Sequence, residues 1–487
     1  MEFVSQPTIR KLAQPGVRSS GVLLLGALLS GCASFAADRG MTPVAQHAES
    51  VLQKDVTVIR NDDDAAVAQA AVRRLSRKTL TVEAAVQIAL LNNRGLQATY
   101  NELAAAEATM VGDSLPPNPT FSISRIAGAG SSELETQIAL DILALATLPV
   151  RSEIAAQRFR QAQLRAIDET LRVAFETRRA YYRAVAAQEL VALLVQAEQT
   201  AKTTAELATK LGETGSLNKL DQAREQVFYA ETTADLASAR QQANTAREQL
   251  TRLLGLWGTD LNFRLPTALP ALPARPLSQP TIEADAVSRR VDLQIARIEL
   301  AALARSYGLT QATRFLNMLE VAGIKKTTRE PELGTIRERG VDVQLQIPLF
   351  DFGEVRVRQA EANYMQAVNR LTEKAVNVRS EAREAYRTYR ASYDIAAHYQ
   401  REVLPLRKII SDESQLRFSA MQIDVFALLQ EARQRIASLR AAIEAKRDFW
   451  LAQTNLKAVV VGGGPGGELS SSQPTTTASS APAAGGH

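Results

Sequence analysis

The chain has 487 residues, enough for two or three ordinary domains. It is rich in alanine and only 5% aromatic, a composition of long helices and not of a compact α/β enzyme. The net charge of +5 is small for this length, and its acids and bases are interspersed. With no dense basic block, the charge argues against nucleic acid as a partner. Cys32 is the single cysteine, so one chain cannot build a disulfide framework. His47, His398 and His487 lie far apart, which argues against a zinc or copper centre. No nucleophile elbow, phosphate loop or metal motif is present, so neither catalysis nor a cofactor is expected.

Arg10, Lys11 and Arg18 precede a short apolar run, Val22 to Leu29. The run is well below the roughly 20 residues that span a bilayer as a helix. It reads as a secretory signal over residues 1–31. The run ends in Leu29-Ser30-Gly31-Cys32, which resembles the bacterial lipobox, where the cysteine becomes lipidated and the signal is cleaved before it. Acyl chains gain about 0.8 kcal/mol per buried methylene, so several of them anchor a protein stably. Ala33 and Ser34 follow, and the lack of an Asp beside Cys32 speaks against inner-membrane retention by the rule the resemblance carries. No later stretch is apolar enough to span as a helix, so any crossing must be made by strands.

Residues 32–79 are polar and read as an extended, lipidated arm. From Thr81, a plausible N-cap, apolar residues recur with helical period toward Gly112. Pro116, Pro117 and Pro119 break the helix, and a strand pair is expected over about 119–141, turning at Gly128-Ala129-Gly130. Val150 to Lys210 contains no Pro and no Gly. As a helix these 61 residues would reach about 90 Å, longer than a globular core needs. A turn at Gly212–Ser216 leads into a returning helix, Leu217 to Leu254. A Pro- and Leu-rich connector occupies 258–285.

The order then repeats with an offset of about 206 residues. A helix is expected from Ala286 to Tyr307, strands over about 315–349, and a charged loop from Lys326 to Glu338 between them. Val341, Val343, Leu345, Ile347 and Leu349 alternate with Asp342, Gln344, Gln346 and Pro348, the cleanest strand pattern in the chain. A helix follows from Glu354 to Leu404, with Pro405 expected to kink it. A turn near Ser419–Gln422 leads to a last helix, Val425 to Val459. The repeats are thus 80–257 and 286–461, and 462–487 is a low-complexity tail that cannot bury a core.

Four strands cannot close a barrel alone, since about eight is the smallest closed number. An open sheet in lipid exposes unpaired backbone groups, each costing several kcal/mol. Four strands per chain therefore imply an oligomer, and three copies supply twelve strands and a lumen. A soluble sheet with one wet face fits the same alternation. The lipobox and the 61-residue helical stretch favour the barrel.

Leu80-Thr81-Val82-Glu83-Ala84-Ala85-Val86, Arg289-Arg290-Val291-Asp292-Leu293 and Ile347-Pro348-Leu349-Phe350-Asp351-Phe352-Gly353 resemble the TolC family of outer-membrane efflux proteins. The likeness covers about residues 80–460. It implies a mainly α fold with a small β part: a homotrimer with an α-helical tube and a 12-stranded transmembrane β-barrel. The tube is shut at its periplasmic tip until a periplasmic adaptor and an inner-membrane pump engage it, and passage is passive. Lipoprotein members serve resistance-nodulation-division and related pumps, exporting drugs, metal ions or other small molecules. A type I protein secretion duct and a pore-free coiled-coil adaptor lipoprotein are the competing readings.

Asp221, Asp412, Glu413 and Asp424 are candidates for a carboxylate gate at the tip, against a bland reading as surface charge or helix-terminal carboxylates. Gly212 and Gly215 permit the first turn, and the resemblance adds adaptor docking there. Pro348, Phe350, Asp351 and Gly353 mark a strand-to-helix corner. The second turn departs from the family in having Met421 in place of Gly.

Overall fold

A computed structural model describes residues 34–128, 130–330 and 334–464. The signal segment, Cys32 with its expected lipid, and residues 465–487 of the tail lie outside the described residues. The helices are α1 (Thr42–Leu52), α2 (Asp62–Ser76), α3 (Val82–Asn92), α4 (Arg94–Asp113), α5 (Ile142–Glu213), α6 (Lys219–Leu254), α7 (Ile282–Arg289), α8 (Val291–Ala312), α9 (Glu354–His398), α10 (Leu404–Ser419) and α11 (Val425–Val461). The strands are β1 (Thr120–Gly128), β2 (Ser131–Asp141), β3 (Met318–Glu330) and β4 (Gly334–Gln346).

Several expectations need correction. The extended arm holds two helices, α1 and α2, because Pro43 suits a first helical turn and Asn61 Oδ1 accepts the Asp64 N–H at 2.7 Å. The single helix from Thr81 is two. Asn93 ends α3 and caps α4, its Oδ1 accepting the Leu96 N–H at 3.0 Å. Arg290 takes nearly the same backbone conformation between α7 and α8 (φ −63°, ψ 122°, against −67° and 115° at Asn93). Helix α5 begins eight residues earlier than expected and contains Pro149, because Asp141 caps the Ala144 N–H at 2.8 Å. The charged loop 326–338 is largely strand. Its charges sit in cross-strand rows, with Lys326 opposite both Glu135 and Glu338. The last strand stops at Gln346, so Ile347 and Leu349 lie beyond it. Ahead of Pro405 the helix widens into one π turn, Tyr399–Val403, and resumes as α10 with the proline in its first turn, where no N–H is required.

The chain forms two compact units. Among the described residues, one comprises 34–39, Ala105–Ala156 and Gly308–Val357, and carries the sheet. All its pairings are antiparallel, in the order β1-β2-β3-β4, which leaves β1 and β4 as open edges. The other comprises Gly40–Ala104, Gln157–Tyr307 and 358–464. Its main core joins Leu90, Leu96 and Tyr100 with Leu171, Phe175 and Tyr181 of α5 and Leu250 and Leu254 of α6. A second core joins Ile282 and Leu293 with Tyr389, Tyr393 and Phe449. The connector is pinned to this unit by hydrogen bonds to its backbone. Tyr389 Oη accepts the Leu277 N–H at 2.9 Å, Tyr393 Oη donates to Ala274 O at 3.0 Å, and Trp450 Nε1 donates to Pro270 O at 3.2 Å.

Candidate functional site

Alternation along the strands gives the sheet two chemically distinct faces. Rows of directly paired residues share a face. On one face run Leu319 and Leu345; Leu140, Val321 and Val343; then Phe121, Ile138, Gly323 and Val341. On the other stand Glu133, Glu135, Glu320, Glu338 and Asp342, with Lys326 held by Glu133 at 2.7 Å. The apolar side chains are exposed, Val341 at 75% and Ile123 at 61%, so this face has no cover within the chain.

The corner after β4 is tightly built. Phe352 and Gly353 both adopt positive φ, 47° and 73°. A Cβ at Gly353 would stand 2.2 Å from Arg314 O, so the backbone approach admits only glycine. Asp351 Oδ1 accepts the Gly353 N–H at 3.1 Å, and Arg314 donates to Phe352 O at 3.0 Å and to Glu354 at 2.9 Å. Pro348 O accepts the Phe352 N–H at 2.9 Å, and Phe350 is fully exposed.

The two hairpin turns share the same pair of closing backbone hydrogen bonds. Gly215 N–H donates to Gly212 O and Ser216 N–H to Leu211 O; 206 residues on, Met421 N–H donates to Phe418 O and Gln422 N–H to Arg417 O. Gly215 has φ 73° and Met421 φ 58°, so a methionine occupies a left-handed position. Gly212 lies in α5, where a Cβ would meet Gln222 Oε1 at 2.7 Å. Asn218 and Asp424 hold equivalent N-caps, accepting from Asp221 N–H at 2.9 Å and Ala427 N–H at 2.7 Å. Asp221 is bound by Asn218 Nδ2 and by Arg224 at 2.9 Å. Asp412 and Glu413 pair within α10 with Lys408 at 3.0 Å and Arg417 at 2.8 Å, and are about half exposed. The structure thus gives all four carboxylates local helical partners and does not gather them into one cluster.

A different pair of acids is buried. Glu225 and Glu431 occupy the same place in the two repeats, and both line a cavity of about 530 Å³ among α5, α6, α10 and α11. The rest of its wall is largely apolar, including Leu193, Leu211, Phe418 and Leu429. Arg433 Nη2 donates to Glu225 Oε1 at 3.0 Å, joining the two hairpins, and its guanidinium lies 4.2 Å over the Phe228 ring. Arg407 donates to Glu431 at 3.3 Å and to Gln434 at 2.7 Å. Among the described residues, Glu225 Oε2 and Glu431 Oε1 have no hydrogen-bond partner. These two acids were absent from the sequence reading. Projecting the 206-residue offset onto every acid near a turn would have found them.

Residues 284–411 match the family described as outer membrane efflux protein. The likeness to that family is thus carried by this stretch. The matched stretch includes β3, β4 and the Pro348–Gly353 corner. The chain is also 23% identical over 281 residues to the cobalt-zinc-cadmium resistance protein CzcC of Cupriavidus metallidurans. That match covers 56% of this chain and 64% of the relative, under two thirds of its length. Among solved structures, a membrane protein from Pseudomonas aeruginosa aligns with a TM-score of 0.67 at 20% identity, over 81% of this chain and 91% of that one. The Campylobacter jejuni CmeC outer membrane channel aligns with a TM-score of 0.66 at 17% identity, over 79% and 86%. At these identities the structural likeness establishes a shared fold.

Proposed function

We propose that the chain is one subunit of a homotrimeric outer-membrane channel in a tripartite efflux system. The observation that carries this is the four-stranded sheet with one uncovered face that is apolar over the rows nearest the helices, one acidic face and two open edges. A face bearing Val341, Val343 and Leu345 suits lipid, and a face bearing Glu135, Glu338 and Asp342 suits a water-filled lumen. In lipid both edges must pair, and joining β4 of one copy to β1 of the next satisfies them. Three copies make twelve strands.

The long hairpins are read as a periplasmic conduit. Its tip, Gly212 to Asp221 with the second turn, is the region offered to a periplasmic adaptor, and an inner-membrane pump supplies the energy. Asp221, Asp412, Glu413 and Asp424 remain gate candidates, but the buried Glu225–Arg433 bridge between hairpins is the better fastening. Conduction itself needs no catalysis. The acidic lumen face favours cationic cargo, and the relative's name suggests divalent metal ions. A type I secretion duct shares the architecture. A pore-free adaptor lipoprotein needs one hairpin, not two hairpins and a two-faced sheet.

Lipidation at Cys32 would add anchoring and sorting to the insertion that the strands provide. The deciding experiment extracts the mature protein from outer membranes in detergent. A heat-sensitive trimer that forms cation-selective pores in planar bilayers supports the channel. A water-soluble monomer without conductance overturns it. Cys32→Ala is expected to abolish incorporation of labelled palmitate.

A further inference from the structure

The lipid-facing side of the sheet is not apolar throughout. Beyond the Phe121–Ile138–Gly323–Val341 row, the next row is Ile123, Thr136, Lys325 and Arg339. The row after is Arg125, Leu134, Thr327 and Arg337, and the last is Ala127, Ser132, Arg329 and Thr335. Five cations therefore crowd the strand ends far from the helices, and all five are exposed. Among the described strand residues, no carboxylate shares that face; every acid of the sheet has the opposite parity. Lys325 stands directly opposite Arg339, a like-charge pairing that destabilises an isolated sheet. An uncompensated arrangement of this kind calls for an external anion.

Position narrows the choice of anion. Strands β3 and β4 are 13 residues long, beyond the 9–11 that cross a hydrocarbon core. The apolar rows stop at Phe121–Ile138–Gly323–Val341, so with those rows in the core Lys325, Arg337 and Arg339 stand at the outer boundary of the apolar band, toward the headgroup level. Fully lipid-immersed cations would cost about 2–4 kcal/mol each at mid-bilayer and little at the interface. Arginine also binds phosphate with a two-pronged donor geometry that suits a headgroup.

We propose that this cationic belt binds the phosphate groups of outer-leaflet lipid and so fixes the depth of the barrel. The proposal rests on the channel reading, since it needs the apolar face in lipid. The test uses the full chain, as wild type, as Lys325→Gln/Arg337→Gln/Arg339→Gln, and as the charge-keeping Lys325→Arg/Arg337→Lys/Arg339→Lys. Each is placed in phosphatidylcholine nanodiscs, titrated with phosphorylated lipid A and with its dephosphorylated form, and rechallenged with inorganic phosphate.

Wild type and the charge-keeping variant are expected to bind the phosphorylated lipid. The glutamine variant should bind on the order of a hundredfold more weakly at low salt, taking about tenfold or less per charge. Trimer formation and conductance should stay unchanged in all three. Equal binding by the glutamine variant, or equal binding of dephosphorylated lipid by wild type, overturns the proposal. Full displacement by inorganic phosphate overturns it in favour of a free-anion site. Failure of wild type to enter the nanodisc defeats the channel reading, and this inference with it.

Discussion

The sharpest prediction concerns Arg433→Ala. Glu225 is 4% exposed, and one of its oxygens already lacks a hydrogen bond. The other depends on Arg433 at 3.0 Å. Removing the arginine strands a buried carboxylate, a loss of roughly 3–5 kcal/mol for a deeply buried pair. Arg433 is itself 30% exposed, so water can enter where it leaves and the loss falls to the bottom of that range or just below it. A cost of about 2–3 kcal/mol falls only on the state in which the hairpins are joined. It should raise the open fraction of the tip roughly 30- to 150-fold. The assay is single-channel conductance of the purified protein without adaptor. Because Arg433 also covers the Phe228 ring, the cycle needs Glu225→Gln and the double variant. The double variant is expected to recover most of the closed state, since its neutral amide tolerates burial. Wild-type behaviour of Arg433→Ala would refute the reasoning. So would a double variant as open as the single, which would assign the effect to the ring contact.

Met421→Gly and Gly215→Ala should shift stability in opposite directions, by about 1 kcal/mol each, because both positions have positive φ and a Cβ at Gly215 meets nothing within 4 Å. Denaturant midpoints of the two variants check this, and a shift of the same sign in both would contradict it. Gly353→Ala should block formation of the heat-sensitive trimer, since the new methyl overlaps Arg314 O; a normal trimer yield on a gel would count against that account of the corner. Asp168 accepts the Gly463 N–H at 3.2 Å, and its pKa is raised, first by burial and then by Asp292. A raised folded-state pKa means that its contribution is fully present below the ordinary value of 3.8 and is lost as pH rises through the folded value. Asp168→Asn should therefore gain on wild type in melting temperature toward neutral pH. Parallel curves from pH 3 to 7 would remove Asp168 from the explanation.

Much of this protein is decided locally and can be read from the chain. Thr81, Asn218 and Asp424 cap helices because their side chains reach N–H groups three residues on, whatever surrounds them. The alternation at Val341–Leu345 sets a strand, and the 206-residue offset sets a repeat. The resemblance at Pro348–Gly353 pointed to the family that the comparisons support. What failed was what depends on distant partners. Lys326 to Glu338 looked like a loop because charge runs are usually solvated, yet cross-strand register makes most of its described residues strand and sorts the sheet's acids to one face. Asp221, Asp412 and Glu413 are gate candidates by their nearness to the turns, and folding adds a close helical partner to each. Glu225 looked like any helix-surface acid, and only the packing of a second hairpin, bringing Arg433 from 208 positions away, buries it. Caps and periodicity act within a few residues, whereas burial and charge pairing are properties of neighbours that the chain acquires only by folding.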